Sequence, residues 1–172
     1  MTSQDPVGLT AAQAAADPTQ AGTNAVSRGG RKTVLQNQLG STLVHTIDAD
    51  RSVTARLYYG TRDNLQYQAL GATGAWVELN RAYYGTGLQY NVQTKIDDTL
   101  VTWVAGYEFD RSQEARQGGA AVLGERRSTT RNEDNLAENS DLFIQATAVI
   151  SDKVSMVGGL RRSTVRFTSD DH

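Results

Sequence analysis

The chain has 172 residues, a net charge of −2 and 21% charged residues, a balance that favours neither nucleic acid nor a strongly charged partner. It contains no cysteine, which excludes a disulfide framework, a thiolate metal site and a cysteine nucleophile. Its mean hydropathy is negative, and no apolar run approaches the roughly 20 residues of a membrane-spanning helix. The start, MTSQDPVGLT, lacks the basic and apolar regions of a signal peptide. We therefore expect either a cytosolic protein or a chain that begins inside a longer gene product.

Residues 1–30 are rich in Ala, Gln, Gly and Thr and poor in large apolar side chains, so we expect no core there. Thr10 followed by Gln13 has the pattern of a capping box. It predicts one or two helical turns over Ala11 to Ala16, ended by Asp17-Pro18. The rest of this region is predicted to be loop. The whole region is interpreted as a long surface loop, with a disordered tail as the alternative.

The first hairpin is predicted from residues 33–47 and 52–62, joined by a turn at residues 48–51. Side chains of a strand alternate between two faces, and here the apolar ones take alternate positions. They are Leu35, Leu39, Leu43 and Ile47, then Val53, Ala55, Leu57 and Tyr59. The second strand is expected to run on to about Leu70, before a flexible connection at residues 71–75.

The second hairpin is predicted from residues 76–96 and a strand that ends near Asp110, with a tight turn at Asp97-Asp98. Its apolar face holds Tyr84, Leu88, Tyr90, Val92 and Ile96, then Val101, Trp103, Ala105, Tyr107 and Phe109. The opposite face is polar and Gly-rich. Residues 111–140 are predicted to be a long polar excursion, whose edges can still pair as strand but whose middle is Gly-rich and charged.

The third hairpin is predicted from Asp141 to Phe167, with its turn at Ser151-Asp152-Lys153. So short a turn leaves no room for a crossover, which makes the two strands antiparallel neighbours. The apolar phase holds from Leu142 to Leu160 and then shifts to Val165 and Phe167. This shift predicts either a bulge near Arg161-Arg162 or emergence of the strand from a bilayer.

Three features of these strands favour a transmembrane barrel over a soluble β-sandwich, which also alternates. The strands follow one another as a meander, and the short turns near Asp48, Asp97 and Asp152 all lie at one end of the sheet. One face is aliphatic and aromatic, while the other is polar. Lipid cannot satisfy open strand edges, and about six strands fall short of the roughly 8 in the smallest closed barrels. We therefore expect an all-β, antiparallel part of a larger barrel.

In their order and spacing, a series of segments resembles the middle of the barrel of a TonB-dependent outer-membrane receptor: QDPVGLT, SRGGRKTVLQNQLG, ARLYYGTRDNLQYQAL, LNRAYYGTGLQY, VAGYEFDR, RNEDN, SDLFIQ and GGLRRSTVRFTSDDH. The resemblance is nearest to the siderophore and cofactor receptors and spans nearly all of residues 4–172. It implies a barrel of about 22 strands with an N-terminal plug, in the outer membrane of a Gram-negative bacterium. Residues 1–30 would then be a long extracellular loop and residues 31–172 a partial barrel.

The resemblance implies that the full-length parent imports a chelated small nutrient, such as an iron-siderophore, driven by the TonB complex. The implied partners are outer-membrane lipid, the chelate and TonB, with no nucleic acid and no resident cofactor. The chain departs from the family because it has no Ton box, no plug and no final strand ending in an aromatic residue. We therefore expect it to transport nothing alone. The alternative is a soluble or surface-attached β-sheet ligand-binding module.

The ligand-binding candidates are Arg62, Arg81 and Tyr83, on the polar faces of the second and third strands. Arginine holds carboxylates through paired hydrogen bonds, so under the resemblance these residues would meet an anionic chelate. Contact with the plug or with water is the alternative. We expect no enzyme, because Glu108 and Asp110 share a strand face but lack a partner nucleophile or a pocket.

Neither histidine predicts a metal site. His45 lies in mid-strand on the apolar face, and Asp170-Asp171-His172 is interpreted as the start of a solvated loop. Three arginines in the polar excursion are candidates for contact with surface lipopolysaccharide or with ligand. Acidic residues alternate with them, so a solvated mixed-charge loop is the favoured interpretation. These arginines are Arg126, Arg127 and Arg131.

Overall fold

The computed structural model describes residues 1–69 and 73–172. In chain order its elements are β1 (Thr2–Gln4), α1 (Ala11–Ala16), α2 (Thr23–Arg28), β2 (Arg31–Thr46), β3 (Arg51–Gln68), β4 (Ala75–Ile96), β5 (Thr99–Val122), β6 (Glu125–Arg126), β7 (Arg131–Ser151) and β8 (Val154–Asp171). Neither of the two helices found in these residues is long and apolar enough to cross a bilayer. The predicted end of the second strand at Leu70 and most of the predicted connection at 71–75 lie outside the described residues.

All eight strands belong to one antiparallel sheet, in the order β1-β2-β3-β4-β5-β7-β8, with β6 paired to β5. Each long strand pairs with its neighbours in sequence, and β2 and β8 are not paired with each other in the described part of the chain. The sheet is therefore an open meander of six long strands, which confirms the predicted fold class. The short turns at residues 47–50, 97–98 and 152–153 lie at one end. We call the other end, which carries residues 1–30 and 123–130, the rim.

The apolar side chains gather on one face of the sheet, which we call the outer face, and the opposite one is the inner face. One row of direct cross-strand partners on the outer face contains Leu43, Ala55, Leu88, Tyr107 and Leu142. These side chains are largely open to their surroundings, with Leu43 67% and Leu88 57% exposed. Soluble monomers rarely expose contiguous apolar surfaces of this extent.

The polar excursion predicted for residues 111–140 is wrong in its extent, although its edges do pair as strand, as predicted. Strand β5 continues to Val122 and β7 already begins at Arg131, and the two remain paired as far as Gly118 and Arg131. Opposite charges face each other across the pair, as between Arg111 and Glu138, whose side chains approach to 3.1 Å. Cross-strand pairs of opposite charge stabilise a sheet without apolar side chains, so the strands extend beyond the point where apolar alternation ends.

The bulge predicted near Arg161-Arg162 is also wrong. Strand β8 keeps its register with β7 there, Arg161 facing Phe143 and Arg162 facing Leu142. The register shifts instead between Val149 and Ser151, next to the turn. Side chains therefore continue to alternate regularly, and Val165 and Phe167 lie on the inner face. The other explanation, that the strand leaves the apolar band of the outer face, agrees with this register.

Residues 1–30 hold two helices. The Thr10 side chain accepts from the Gln13 backbone N–H at 3.3 Å, and the Gln13 side chain accepts from the Thr10 N–H at 2.9 Å, which confirms the predicted capping box and α1. The prediction of loop after Pro18 is wrong, because α2 follows and ends at Gly29 with a φ of 63°. A left-handed glycine is the usual helix end. Ala25 of α2 is buried, contrary to the expectation of no core there.

A small core lies near the rim, between β3, β4 and β5. It contains Tyr67, Trp76 and Ala121. Arg31 lies over the Tyr67 ring at 3.9 Å, and its guanidinium donates to the Gly124 carbonyl at 2.9 Å. This contact ties the start of β2 to the tip of the β5–β6 hairpin, and it holds the rim ends of β2 to β5 in fixed positions.

Candidate functional site

A cavity of about 180 Å³ lies on the inner face near the rim, and we call it the inner cavity. Its lining comes from four adjacent strands, β2 to β5. The register brings these strands together, because Arg62 faces Arg81 and Arg81 faces Glu114. The lining residues are Lys32, Arg62, Asn64, Leu79, Arg81 and Glu114. Two of the three predicted ligand residues, Arg62 and Arg81, therefore lie together.

The inner cavity carries more positive than negative charge. Arg81 donates to Glu114 Oε2 from Nε at 2.9 Å and from Nη2 at 2.5 Å. Within residues 1–69 and 73–172, Arg62 and Lys32 have no side-chain ion pair or hydrogen bond. Two positive charges are thus uncompensated. Guanidinium and ammonium groups in this state attract a ligand that carries carboxylate or phosphate groups.

Asn64 adds a second sign of a binding site. It is 6% exposed, and its Oδ1 is buried without a hydrogen-bond partner among the described residues. Buried side-chain oxygens are nearly always paired, and an unpaired one costs about 1–3 kcal/mol. A ligand donor would satisfy this oxygen, and a rotated amide would turn its N–H groups to a ligand acceptor. Asn64 was not among the predicted residues, since no sequence pattern marks it.

Tyr83 lies on the inner face but outside the lining of the inner cavity. Its hydroxyl donates to Gln38 Oε1 at 3.0 Å and accepts from Gln36 Nε2 at 3.2 Å. Its ring covers Gly60, where a Cβ would come within 2.5 Å of the ring. These contacts hold Tyr83 one inner-face position nearer the short turns than Arg81.

Further from the rim, the inner face carries a continuous chain of ion pairs. Glu108 lies 2.7 Å from the Arg56 guanidinium and 3.5 Å from that of Arg161. Arg161 also pairs with Asp141, which is 1% exposed. Both carboxylates already accept hydrogen bonds from arginine, so these ion pairs link neighbouring strands of the sheet. Glu108 therefore has no free oxygen with which to act as a general base.

The remaining candidates are accounted for by local contacts. Asp110 accepts a hydrogen bond from the Tyr58 hydroxyl, and His172 lies 3.2 Å from Asp134. The described residues contain no group of three or more metal-binding side chains. The predicted mixed-charge arginines each have an acidic partner. The pairs are Arg126–Glu78 at 2.8 Å, Arg127–Glu125 at 3.6 Å and Arg131–Glu133 at 2.9 Å.

No protein-family model matches the chain. Among the solved structures that share its fold are a transporter and a receptor. The ferric citrate transporter FecA in the unliganded form superposes with a TM-score of 0.81 at 16% identity, over 96% of this chain and 25% of FecA. BauA, the ferric preacinetobactin receptor from Acinetobacter baumannii, superposes with a TM-score of 0.73 at 11% identity, over 83% of this chain and 27% of BauA.

Identities this low show the fold alone. The chain has the fold of part of a TonB-dependent receptor barrel, which agrees with the resemblance found in the sequence. It spans about a quarter of the length of the two structures. By their descriptions these two proteins are a transporter and a receptor, and neither is described as an enzyme.

Proposed function

We propose that this chain is a segment of an outer-membrane TonB-dependent receptor, whose full-length protein imports a chelated small nutrient such as an iron-siderophore. The observation that carries the proposal is the exposed apolar outer face on a fold shared with a ferric citrate transporter and a ferric preacinetobactin receptor. On β5 this face spans nine residues from Val101 to Phe109. That length agrees with the roughly 9–11 residues of a tilted strand that crosses a bilayer.

Aromatic residues at the rim side of the apolar band support the same proposal. Tyr84 and Phe109 lie side by side on the outer face, with ring centroids 6.3 Å apart, and Tyr59 is the direct partner of Tyr84. Trp103 occupies the outer face of β5 nearer the short turns. Membrane barrels place aromatic girdles at both interfaces, where an apolar ring with a polar edge is stable.

We assign the contact with the imported chelate to the inner cavity, through Arg62 and Arg81, with Tyr83 beside it. Arg62 is free to bind a ligand carboxylate directly. The Glu114 carboxylate holds Arg81, so an anionic ligand would compete with Glu114 for the same guanidinium. Removal of Arg62 should therefore weaken binding of an anionic chelate, whereas Glu114→Gln should strengthen it.

Iron uptake by cells that produce the full-length protein tests this assignment. The probes are radiolabelled ferric citrate, which is anionic, and an uncharged iron-hydroxamate chelate. Arg62→Gln should raise the ferric citrate concentration needed for half-maximal uptake by about tenfold. This is the loss of affinity expected for one hydrogen bond between charged groups. Glu114→Gln should act in the opposite direction, and neither variant should change the response to the uncharged chelate. Equal responses to both probes would refute the site assignment.

The membrane location has its own test. The full-length protein should fractionate with the outer membrane and require detergent to remain monomeric. A monomeric, cooperatively unfolding protein in detergent-free buffer would refute the receptor proposal and favour a soluble binding module.

A further inference from the structure

Asn64 lies on the inner face of β3, within the sheet rather than at its edge. Its direct cross-strand partners are Val34 on β2 and Leu79 on β4. Neither of these side chains can donate or accept a hydrogen bond. Because both neighbouring strands are present here, the sheet itself places no polar side chain directly opposite the Asn64 amide.

The Asn64 amide is nevertheless withdrawn from solvent. The residue is 6% exposed, and its side chain makes no hydrogen bond within residues 1–69 and 73–172. An apolar residue of similar size would fit between Val34 and Leu79 without leaving a polar group unpaired. Since Asn64 lines the inner cavity, the missing partner has to come from the contents of that cavity.

Two positive charges stand on either side of this amide along the strand direction. Arg62 is one inner-face position nearer the short turns on β3. Lys32 faces Gln66, which puts it one inner-face position nearer the rim, and on its other side it faces Ser3 of β1. In the described part of the chain neither cation has an ion pair. The Asn64 amide therefore lies between two uncompensated charges.

The spacing of these groups suits a small dianion. Positions two apart on one strand are separated by roughly 6–7 Å, and the long side chains of arginine and lysine reach back across such a step. Two carboxylates bound to the cations would hold the middle of the ligand next to Asn64. A hydroxyl group suits this middle position, because it can donate to the amide oxygen or accept from the amide nitrogen, whichever of the two faces the cavity.

The size of the inner cavity limits how much of a chelate can enter. Its volume is about 180 Å³, below the roughly 300–1,000 Å³ of pockets that enclose a whole drug-sized ligand. One arm of a chelator fits, whereas the metal with its other ligands stays outside. The hydroxyl that meets Asn64 therefore belongs to an arm that does not coordinate the metal.

We propose that Asn64 is a specificity-determining residue of the inner cavity and selects ligands whose bound arm is a hydroxydicarboxylate. The inference rests on the proposed binding of an anionic chelate at this cavity. Arg62 and Lys32 bind the two carboxylates, and Asn64 binds the hydroxyl between them. A ligand without the hydroxyl leaves the buried amide unpaired in the complex and binds more weakly.

The test is isothermal titration calorimetry of the full-length protein in detergent, with metal-free malate and succinate as probes. Both probes are dianions at neutral pH, and they differ by a single hydroxyl group. The wild type should bind malate about tenfold more tightly than succinate, the factor expected for one buried hydrogen bond. In Asn64→Leu, which replaces the amide by an apolar group of similar size, the two affinities should be equal.

Asn80→Leu is the matched control, because Asn80 is exposed on the outer face of β4, opposite Ala115. It should keep the preference of the wild type for malate. Equal binding of malate and succinate by the wild type would overturn the inference even if Asn64→Leu failed to fold. An unchanged preference in Asn64→Leu would overturn it too. If the wild type bound neither dianion, the assignment of an anionic ligand to the inner cavity would fail as well, an outcome distinct from equal binding.

Discussion

The loss of stability when one outer-face residue is replaced by arginine distinguishes a sheet that faces lipid from one that faces water. Ile144 lies in the middle of the apolar band on β7, between Ala105 and Leu160 on the neighbouring strands. Its side chain is 45% exposed. In water, Ile144→Arg at such a site changes the free energy of unfolding by only about 0.5 kcal/mol.

In a bilayer the same change is costly. Arginine on the lipid face of a barrel near the midplane costs about 2–4 kcal/mol. Complete burial of an isoleucine contributes about 1.5–3 kcal/mol, and roughly half of the Ile144 side chain is left for lipid to cover, so its loss adds about 1 kcal/mol. We expect a total loss of about 3–5 kcal/mol.

The matched control is Gln145→Arg at the next residue, which points to the inner face opposite Val104 and Gly159. Its cost should stay near 0.5 kcal/mol, the value for an exposed polar site. The measurement is urea unfolding of the full-length protein in phospholipid vesicles, with the free energy extrapolated to zero denaturant. If the two variants lost the same stability within about 1 kcal/mol, the reasoning that places the outer face in lipid would be wrong.

Two further outcomes are expected. Gly85→Ala should lower the free energy of unfolding by about 1–3 kcal/mol, because the added Cβ would meet the Tyr58 ring at 2.6 Å. Gly158→Ala is the control and should be tolerated, because nothing lies within 4 Å of the added Cβ. Equal losses of stability in the two variants would contradict this prediction. At a short turn, a hydrogen bond from Arg51 holds the pKa of Asp48 below its usual 3.8. The ionised Asp48 therefore stabilises the folded turn at a pH above 3.8, and this stabilisation is lost as the pH falls through the pKa of the folded state. Arg51→Gln should return the pKa toward 3.8 by carboxyl NMR, and an unchanged pKa would refute the assigned cause.

Six strands and their faces could be predicted because the period-two pattern is local. Side chains from Val101 to Phe109 alternate with the pleat, whatever their partners are. The extensions of β5 and β7 could not be predicted in this way. Their outer faces are polar, and opposed charges such as Arg111 and Glu138 become a pair only once the register is known. Helix α2 was not predicted, because the feature that marks its end is the left-handed backbone conformation of Gly29, which becomes visible only in the structure.

The candidate site was predicted in part for the same reason. Arg62 and Arg81 were placed on one face of adjacent strands, and the structure confirms that they are direct partners. Lys32 and Asn64 were missed, since their contributions depend on how β2 and β4 pack beside β3. The assignment of ligand contact to Arg62, Arg81 and Tyr83 remains a prediction.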